Sequence, residues 1–143
     1  SPIIFEGRMY YVSRRTLTCV DAKTHDKVFE GRMTAKVGEQ PAAETRTGGS
    51  GGPGGGGRGG RGGFAGGGGM GGDYSSPVLA DGKIYYVARS GETYVLTAGT
   101  EFQQLAVNHV TTDTEDFSAT PAVSHGEIFI RSDKHLYCVS AKK

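Results

Sequence analysis

Apolar residues fall in short runs separated by turn-forming residues, on both sides of a glycine-rich middle segment. Aromatic and β-branched residues are common in these runs, as in residues 84–87, and such residues suit a pleated and largely buried strand. No segment repeats its apolar residues with the spacing of an amphipathic helix. The pattern therefore predicts an all-β fold.

A dipeptide ending in glycine separates two apolar runs at three places and predicts a tight hairpin at each. The dipeptides are Glu6-Gly7, Asp81-Gly82 and His125-Gly126. Glycine is favoured in two-residue hairpin turns because their backbone needs positive φ values. Each dipeptide lies in a recurring string that begins with Ser/Thr-Pro and ends in an aromatic-rich strand. The copies span residues 1–12, 76–87 and 120–130.

The repeat continues beyond each hairpin into a second related string, at residues 17–22, 93–98 and 136–141. The turn glycines are 75 and 44 residues apart, and the glycine-rich middle accounts for the excess in the first interval. In the second copy, residues 93–97 and the more polar residues 102–107 supply a third and a fourth strand. Four antiparallel strands per repeat of about 40–45 residues are typical of a β-propeller blade. We expect about three blades of a partial propeller, the last ending after its third strand.

Residues 48–72 contain 18 of the 25 glycines and have few side chains to bury, so burial does not offset the entropy of ordering them. We interpret residues 37–73 as one long disordered Gly/Arg-rich insertion. The predicted organisation is a first repeat at 1–36, this insertion, a second repeat at 74–119 and a third, incomplete repeat at 120–143. No apolar run is long enough to predict a membrane-spanning helix.

The charge balance adds little to the prediction of function. The chain carries 16 Lys+Arg against 15 Asp+Glu, a net charge of +1. Such a balance argues against binding to nucleic acid or to an anionic membrane mainly through bulk charge.

The repeats resemble the PQQ-like (pyrroloquinoline quinone) β-propeller family. The resemblance rests on the strings at residues 81–87, 17–24 and 129–139, and it leaves out the glycine-rich segment. It implies a propeller, in a family that includes quinone dehydrogenases and outer-membrane-assembly lipoproteins. The ending resembles the last repeat of secreted or periplasmic members, so we expect a periplasmic, cell-envelope or secreted protein. We also expect the chain to be the C-terminal part of a longer protein whose remaining blades it contacts.

Two departures from the family limit what the resemblance implies. The family's Thr-Gly is replaced by Thr24-His25, and Phe29 stands near the position of its Trp, which is absent from the chain. The single asparagine, Asn108, lies in no calcium-binding context. We therefore predict no bound cofactor, no metal site and no catalytic residue in this chain.

The two cysteines occupy equivalent positions in copies one and three. Equivalent positions in different blades lie beyond the Cα separation of about 7 Å that a disulfide tolerates. We favour small buried side chains for Cys19 and Cys138, with a disulfide or a metal pair as alternatives.

Further candidate chemistry has weak support. Residues 58–64 read as a short RGG box, but Arg58 and Arg61 neutralise only about two phosphates, so we favour a solvated insertion over RNA binding. Residues 48–52 match G-x-S-x-G without the strand-to-helix turn of a nucleophile elbow. The acidic connector 111–116 is interpreted as a solvated turn. Surface or turn roles are expected for the four histidines and solvated positions for two basic pairs: His25, His109, His125, His135, Arg14-Arg15 and Lys142-Lys143.

The functional expectation is a non-catalytic propeller section that acts as a rigid scaffold for a protein or ligand partner. One alternative is a fragment of a quinone-dependent dehydrogenase whose active site lies upstream. Another is weak RNA binding through the RGG-like insertion, which we favour least.

Overall fold

The computed structural model describes residues 1–36 and 72–140. These residues form strands and no helix, which confirms the all-β prediction. In chain order the strands are β1 (Ile3–Phe5), β2 (Arg8–Ser13), β3 (Thr16–Asp21), β4 (Lys27–Arg32), β5 (Val78–Ala80), β6 (Lys83–Val87), β7 (Glu92–Thr97), β8 (Gln104–His109), β9 (Ala122–Ser124), β10 (Glu127–Arg131) and β11 (Leu136–Ser140).

Consecutive strands pair antiparallel in three separate sheets. Sheet 1 contains β1–β4, sheet 2 contains β5–β8, and sheet 3 contains β9–β11. The register shifts after Cys19 in sheet 1 and after Val95 in sheet 2, which are equivalent positions of the sequence repeat. The first two repeats therefore share a local irregularity as well as a strand order.

The three predicted hairpin turns have the backbone that their sequence indicates. Both central residues of each turn have positive φ: 47° and 73° at Glu6-Gly7, 50° and 67° at Asp81-Gly82, and 51° and 79° at His125-Gly126. Two positive φ values are the mark of a type I′ turn, whose twist matches that of the flanking strands. These turns connect the first two strands of each sheet.

Sheet 2 contributes to two apolar cores. Sheets 1 and 2 supply the larger core, whose fully buried members include Tyr10, Leu17, Cys19, Ile84 and Leu96. A smaller core joins Val87 of sheet 2, Ile130 of sheet 3 and Phe117 of the segment between them. Sheet 2 therefore packs against sheet 1 through one core and against sheet 3 through the other.

Hydrogen bonds connect equivalent residues of successive repeats. The Ser1 amino nitrogen donates to Ser76 Oγ at 3.3 Å, and the Ser76 N–H donates to Thr120 Oγ1 at 2.9 Å. All three residues precede the proline that opens their repeat. β5 also contacts β9 directly. The starting segments of the three sheets therefore lie side by side.

Some sequence predictions differ from the structure or lie outside it. The fourth strand of sheet 2 covers Gln104–His109 rather than residues 102–107, because Phe102 belongs to the preceding turn. The predicted disordered insertion falls almost entirely outside the described residues, as do Lys142 and Lys143. Asp73, assigned to the end of that insertion, makes ordered contacts that are described below. The described residues include no helix with the length and apolarity that a membrane crossing needs.

Candidate functional site

Polar side chains link the turns between the second and third strands of the three sheets, directly between the first two turns and through Asp116 of the linker between the second and the third. We define the turn cluster as these three turns, at residues 14–15, 88–91 and 132–135, with the linkers at 73–75 and 115–118. Sheets hold such turns in fixed positions because the flanking strands are fully paired. This end of the three sheets is the strongest candidate site in the described part of the chain.

Arg15 joins sheet 1 to sheet 2. Its guanidinium donates to Ser90 Oγ at 2.6 Å and lies 3.5 Å from the Glu92 carboxylate and 3.7 Å from that of Asp73. Arg14 and Arg15 both have positive φ, 48° and 60°, which is uncommon for residues other than glycine. The prediction that both arginines are simply solvated was wrong for Arg15, which is partly buried among these acceptors.

Arg89 extends the same series of contacts toward sheet 3. Its Nε lies 2.5 Å from the Asp116 carboxylate, and its backbone N–H donates to Asp73 Oδ1 at 2.9 Å. Hydrogen bonds from Ser118 and Arg89 lower the pKa of Asp116 because they stabilise the charged form. Exposed ion pairs contribute little singly. Asp73, however, contacts both Arg15 and Arg89, so these ion pairs form one connected and fixed polar surface.

Glu115 is a buried carboxylate with three side-chain partners. Its side chain is 1% exposed. His135 Nδ1 lies 2.7 Å from one carboxylate oxygen, and the Tyr137 hydroxyl donates to the other at 2.9 Å. A hydrogen bond from Ser132, followed by those from His135 and Tyr137, lowers the pKa of Glu115 despite its burial.

The order of these contacts differs from that of a hydrolytic triad. The Ser132 hydroxyl accepts the backbone N–H groups of Lys134 and His135, donates to the His135 carbonyl oxygen at 3.3 Å, and contributes to the lowered pKa of Glu115. In a triad, the serine instead contacts the imidazole nitrogen that removes its proton. Glu115 and its partners therefore have a structural role: they attach the β10–β11 turn to the linker before sheet 3.

We expect acid to weaken the contacts of Glu115 and so to destabilise the fold. Because the folded-state pKa of Glu115 is lowered, its stabilising contribution is complete above the unfolded-state value of about 4.3. It is lost as pH falls through the folded-state value. We expect the unfolding free energy of the native protein to fall more steeply below about pH 4.3 than that of Glu115→Gln, measured by urea denaturation across pH.

The exposed Glu101 offers a matched control for that measurement. Glu101→Gln should follow the acid dependence of the native protein, since its side chain lies in an open loop. An identical acid dependence in Glu115→Gln and the native protein would show that Glu115 is not the linked group.

A cavity of about 340 Å³ opens beside the turn cluster. It is lined by Asp116, Ser118, Ala119, Arg131, Ser132 and Asp133. Both charge signs, hydroxyl groups and a methyl group face this cavity, as in a surface that recognises a polar or peptide-like group. Among the described residues, no group of three or more His, Cys, Asp and Glu side chains is placed to hold a metal ion.

The structure separates most residues singled out in the sequence. Cys19 is fully buried as expected, but Cys138 is exposed on β11, so the expectation of two buried cysteines was wrong. Both thiols are free. The four histidines are exposed at turns or strand ends, as expected. In the acidic connector 111–116, Glu115 is buried, so the prediction of a wholly solvated turn was wrong.

Two of the sequence candidates lie outside the described residues: the RGG-like residues 58–64 and the G-x-S-x-G match at 48–52. Sequence reasoning missed the Glu115–His135–Tyr137 contacts, which join residues about 20 positions apart. The sequence held one signal for these contacts: His135 and Tyr137 are two residues apart at the start of a predicted strand.

No protein-family model matches the chain, and no curated protein matches it either.

Proposed function

We propose that the chain is a non-catalytic section of a β-propeller that acts as a rigid scaffold, binding a protein partner at the turn cluster and the cavity beside it. The observation that carries this proposal is the recurrence of one arrangement at each repeat. Each sheet opens with Ser/Thr-Pro and a type I′ hairpin, and equivalent residues of successive sheets are hydrogen-bonded. Side-by-side antiparallel sheets with this repetition are the elements of a propeller.

Rigidity is the property that a scaffold needs. The turn cluster rests on two apolar cores and on side chains that bond across repeats, with Arg15, Arg89 and Glu115 each joining two segments. Binding to such a preorganised surface costs little conformational entropy. Loops held by a rigid framework are common positions for binding residues.

Arg131 is the side chain best placed to contact a partner. It is exposed and lines the 340 Å³ cavity together with two carboxylates, those of Asp116 and Asp133. Arginine is enriched where interfaces have strong local contributions to affinity. The family resemblance favours a partner in the cell envelope or outside the cell.

The test is capture of a partner from an envelope extract by the native chain and by two charge-reversed variants. Arg131→Glu should abolish capture, while Lys23→Glu should retain it, because Lys23 is an exposed basic residue of the β3–β4 turn, outside both the turn cluster and the cavity lining. Thermal unfolding would verify that both variants fold.

Equal capture by the native chain and Arg131→Glu would contradict the proposed surface. Dye reduction with alcohols or sugars after addition of the quinone and Ca²⁺ would contradict the non-catalytic assignment. A partner lost only with Arg131→Glu, with no dye reduction, would support the proposal.

A further inference from the structure

The turn at Asp81-Gly82 differs in its chemistry from the two turns that share its backbone. All three type I′ turns have nearly the same pair of φ values, but their first residues are Glu6, Asp81 and His125. Asp81 is the only aspartate in the chain that is followed by glycine. An aspartate carboxyl group can react with the amide nitrogen of the next residue, and glycine hinders that reaction least because it has no Cβ atom. Only the second turn therefore carries a pair of residues that can react in this way.

Both residues of this turn are open to solvent. The Asp81 side chain is 94% exposed, and its charged neighbour is Lys83, whose Nζ lies 3.4 Å from Asp81 Oδ2. Exposed ion pairs of this kind restrain a side chain little. A Cβ atom on Gly82 would meet no heavy atom within 4 Å beyond its chain neighbours. The Asp81 carboxyl group is therefore free to rotate toward the Gly82 nitrogen.

The hairpin that contains this turn ends in a short edge strand. β5 has three residues, all partly buried, and among the described strands it pairs only with β6. Short edge elements with few buried side chains open at a lower free energy than the centre of a sheet. A reaction between Asp81 and Gly82 requires rotation about the Asp81 Cα–C bond, which the closed turn restricts. Local opening of the β5–β6 hairpin provides that rotation.

We propose that Asp81 is a site of spontaneous isoaspartate formation in the folded protein. The Gly82 nitrogen forms a bond to Cγ of the Asp81 carboxyl group, whose hydroxyl leaves as water together with the amide proton. Water then opens the resulting five-membered imide ring. Cleavage between the nitrogen and Cγ restores aspartate, whereas cleavage between the nitrogen and the Asp81 main-chain carbonyl carbon leaves the chain linked through the side chain. The net change consumes and releases only water and leaves the mass unchanged.

The product does not fit the turn that it replaces. It has one more main-chain carbon atom between Ala80 and Lys83, which are partners across the two-residue turn. The length of such a turn sets the register of the strands that it joins. The Gly82 carbonyl also accepts the Ala98 N–H at 3.0 Å, and the longer connection displaces it. The modification should therefore loosen the hairpin, and it needs no partner, so the inference goes beyond the scaffold function and does not depend on it.

The test is incubation of the purified chain for several weeks at neutral pH in water enriched in heavy oxygen. Each opening of the ring, in either direction, adds one heavy oxygen atom at residue 81, which mass spectrometry of the peptides detects. Fragmentation by electron transfer then distinguishes isoaspartate from aspartate. Both heavy oxygen and isoaspartate should accumulate at Asp81. Neither should accumulate at Glu6, whose turn has the same backbone, or at Asp26, which precedes lysine.

Two variants with the same chemical change provide the matched comparison. Asp81→Glu keeps the charge and should fold, because Glu6-Gly7 occupies a turn of the same geometry. It should lose both signals at residue 81, since its ring would have six members and close much more slowly. Asp26→Glu makes the same exchange at another exposed aspartate and should retain both signals at Asp81.

The urea dependence shows whether the reaction occurs in the folded chain. Below the unfolding transition, the rate should rise with urea less steeply than the unfolding equilibrium does, because hairpin opening exposes little surface. A rise as steep as that of global unfolding would overturn the proposal by assigning the reaction to the unfolded chain. Absence of isoaspartate at Asp81, or equal accumulation at Asp26, would also overturn it. Signals lost in Asp81→Glu, kept in Asp26→Glu and only weakly dependent on urea would support it.

Discussion

Replacing Gly31 by alanine should lower the unfolding free energy by about 3 kcal/mol, which is the upper part of the usual range for overpacking. A Cβ atom at Gly31 would overlap the ring of Phe102, which lies against the β4 backbone. Phe102 has little room to move, because Phe29 packs beside it and the core between sheets 1 and 2 lies beneath. Urea denaturation of the purified variant measures the change.

Gly99→Ala is the matched control for this effect. A Cβ atom there would meet nothing closer than Thr97 Cγ2 at 3.6 Å, and Gly99 has no positive φ that alanine would strain. Its carbonyl also continues to accept the Tyr10 hydroxyl at 3.0 Å, because a side-chain substitution leaves the backbone acceptor in place. Adding Phe102→Ala to Gly31→Ala should remove the clash, so the two costs should be less than additive. Equal stability of the Gly31→Ala and Gly99→Ala variants would contradict the close approach of Phe102.

The sequence was informative wherever a local rule decides the structure. Asp81-Gly82 and its two counterparts occupy turns with two positive φ values, and glycine adopts such values without steric cost. The aromatic and β-branched residues that follow form β2, β6 and β10. Strand order within each sheet follows because a two-residue turn can only connect antiparallel neighbours.

The same rules failed where tertiary contacts outweigh local preference. Arg14 and Arg15 form a turn with two positive φ values, although neither residue favours that backbone, and the bonds of Arg15 to Ser90 and sheet 2 hold the side chain there. Glu115 is tolerated in a buried position because His135 and Tyr137 contact its carboxylate and Ser132 helps to lower its pKa. These partners lie in another strand or turn, so no pattern within the acidic connector indicates them.

Cys138 illustrates a limit of arguments from repetition. Its counterpart Cys19 is buried, because β4 and sheet 2 cover the equivalent position in sheet 1. The sequence repeat therefore correctly places Cys19 and Cys138 at equivalent positions of the third strand of their sheets. It does not predict whether each cysteine is buried. Burial depends on the neighbouring strand, which is a property of the assembled sheets.

The second large effect is expected at Phe117, which lies in the smaller core. Phe117→Ala should lower the unfolding free energy by about 3–5 kcal/mol, the usual cost of truncating a buried phenylalanine. The residue is 1% exposed, its ring stacks on Tyr137 at 6.2 Å, and a Cβ atom on Gly91 would lie 2.9 Å from it. Its fully buried neighbours Val87 and Ile130 are smaller and lie in paired strands, so they would leave most of the space unfilled.

The loss should also be local, because Phe117 joins sheet 3 to sheet 2 but does not contribute to the core between sheets 1 and 2. Amide hydrogen exchange in β10 and β11 should accelerate more than in β2 and β3. Tyr74→Ala provides the aromatic control. Tyr74 is 66% exposed and its ring lies 5.6 Å from the Arg89 guanidinium, a contact worth about 0.5–1 kcal/mol. A Phe117→Ala variant as stable as Tyr74→Ala, or one with faster exchange in all three sheets alike, would contradict the role of Phe117 as the apolar link between sheets 2 and 3.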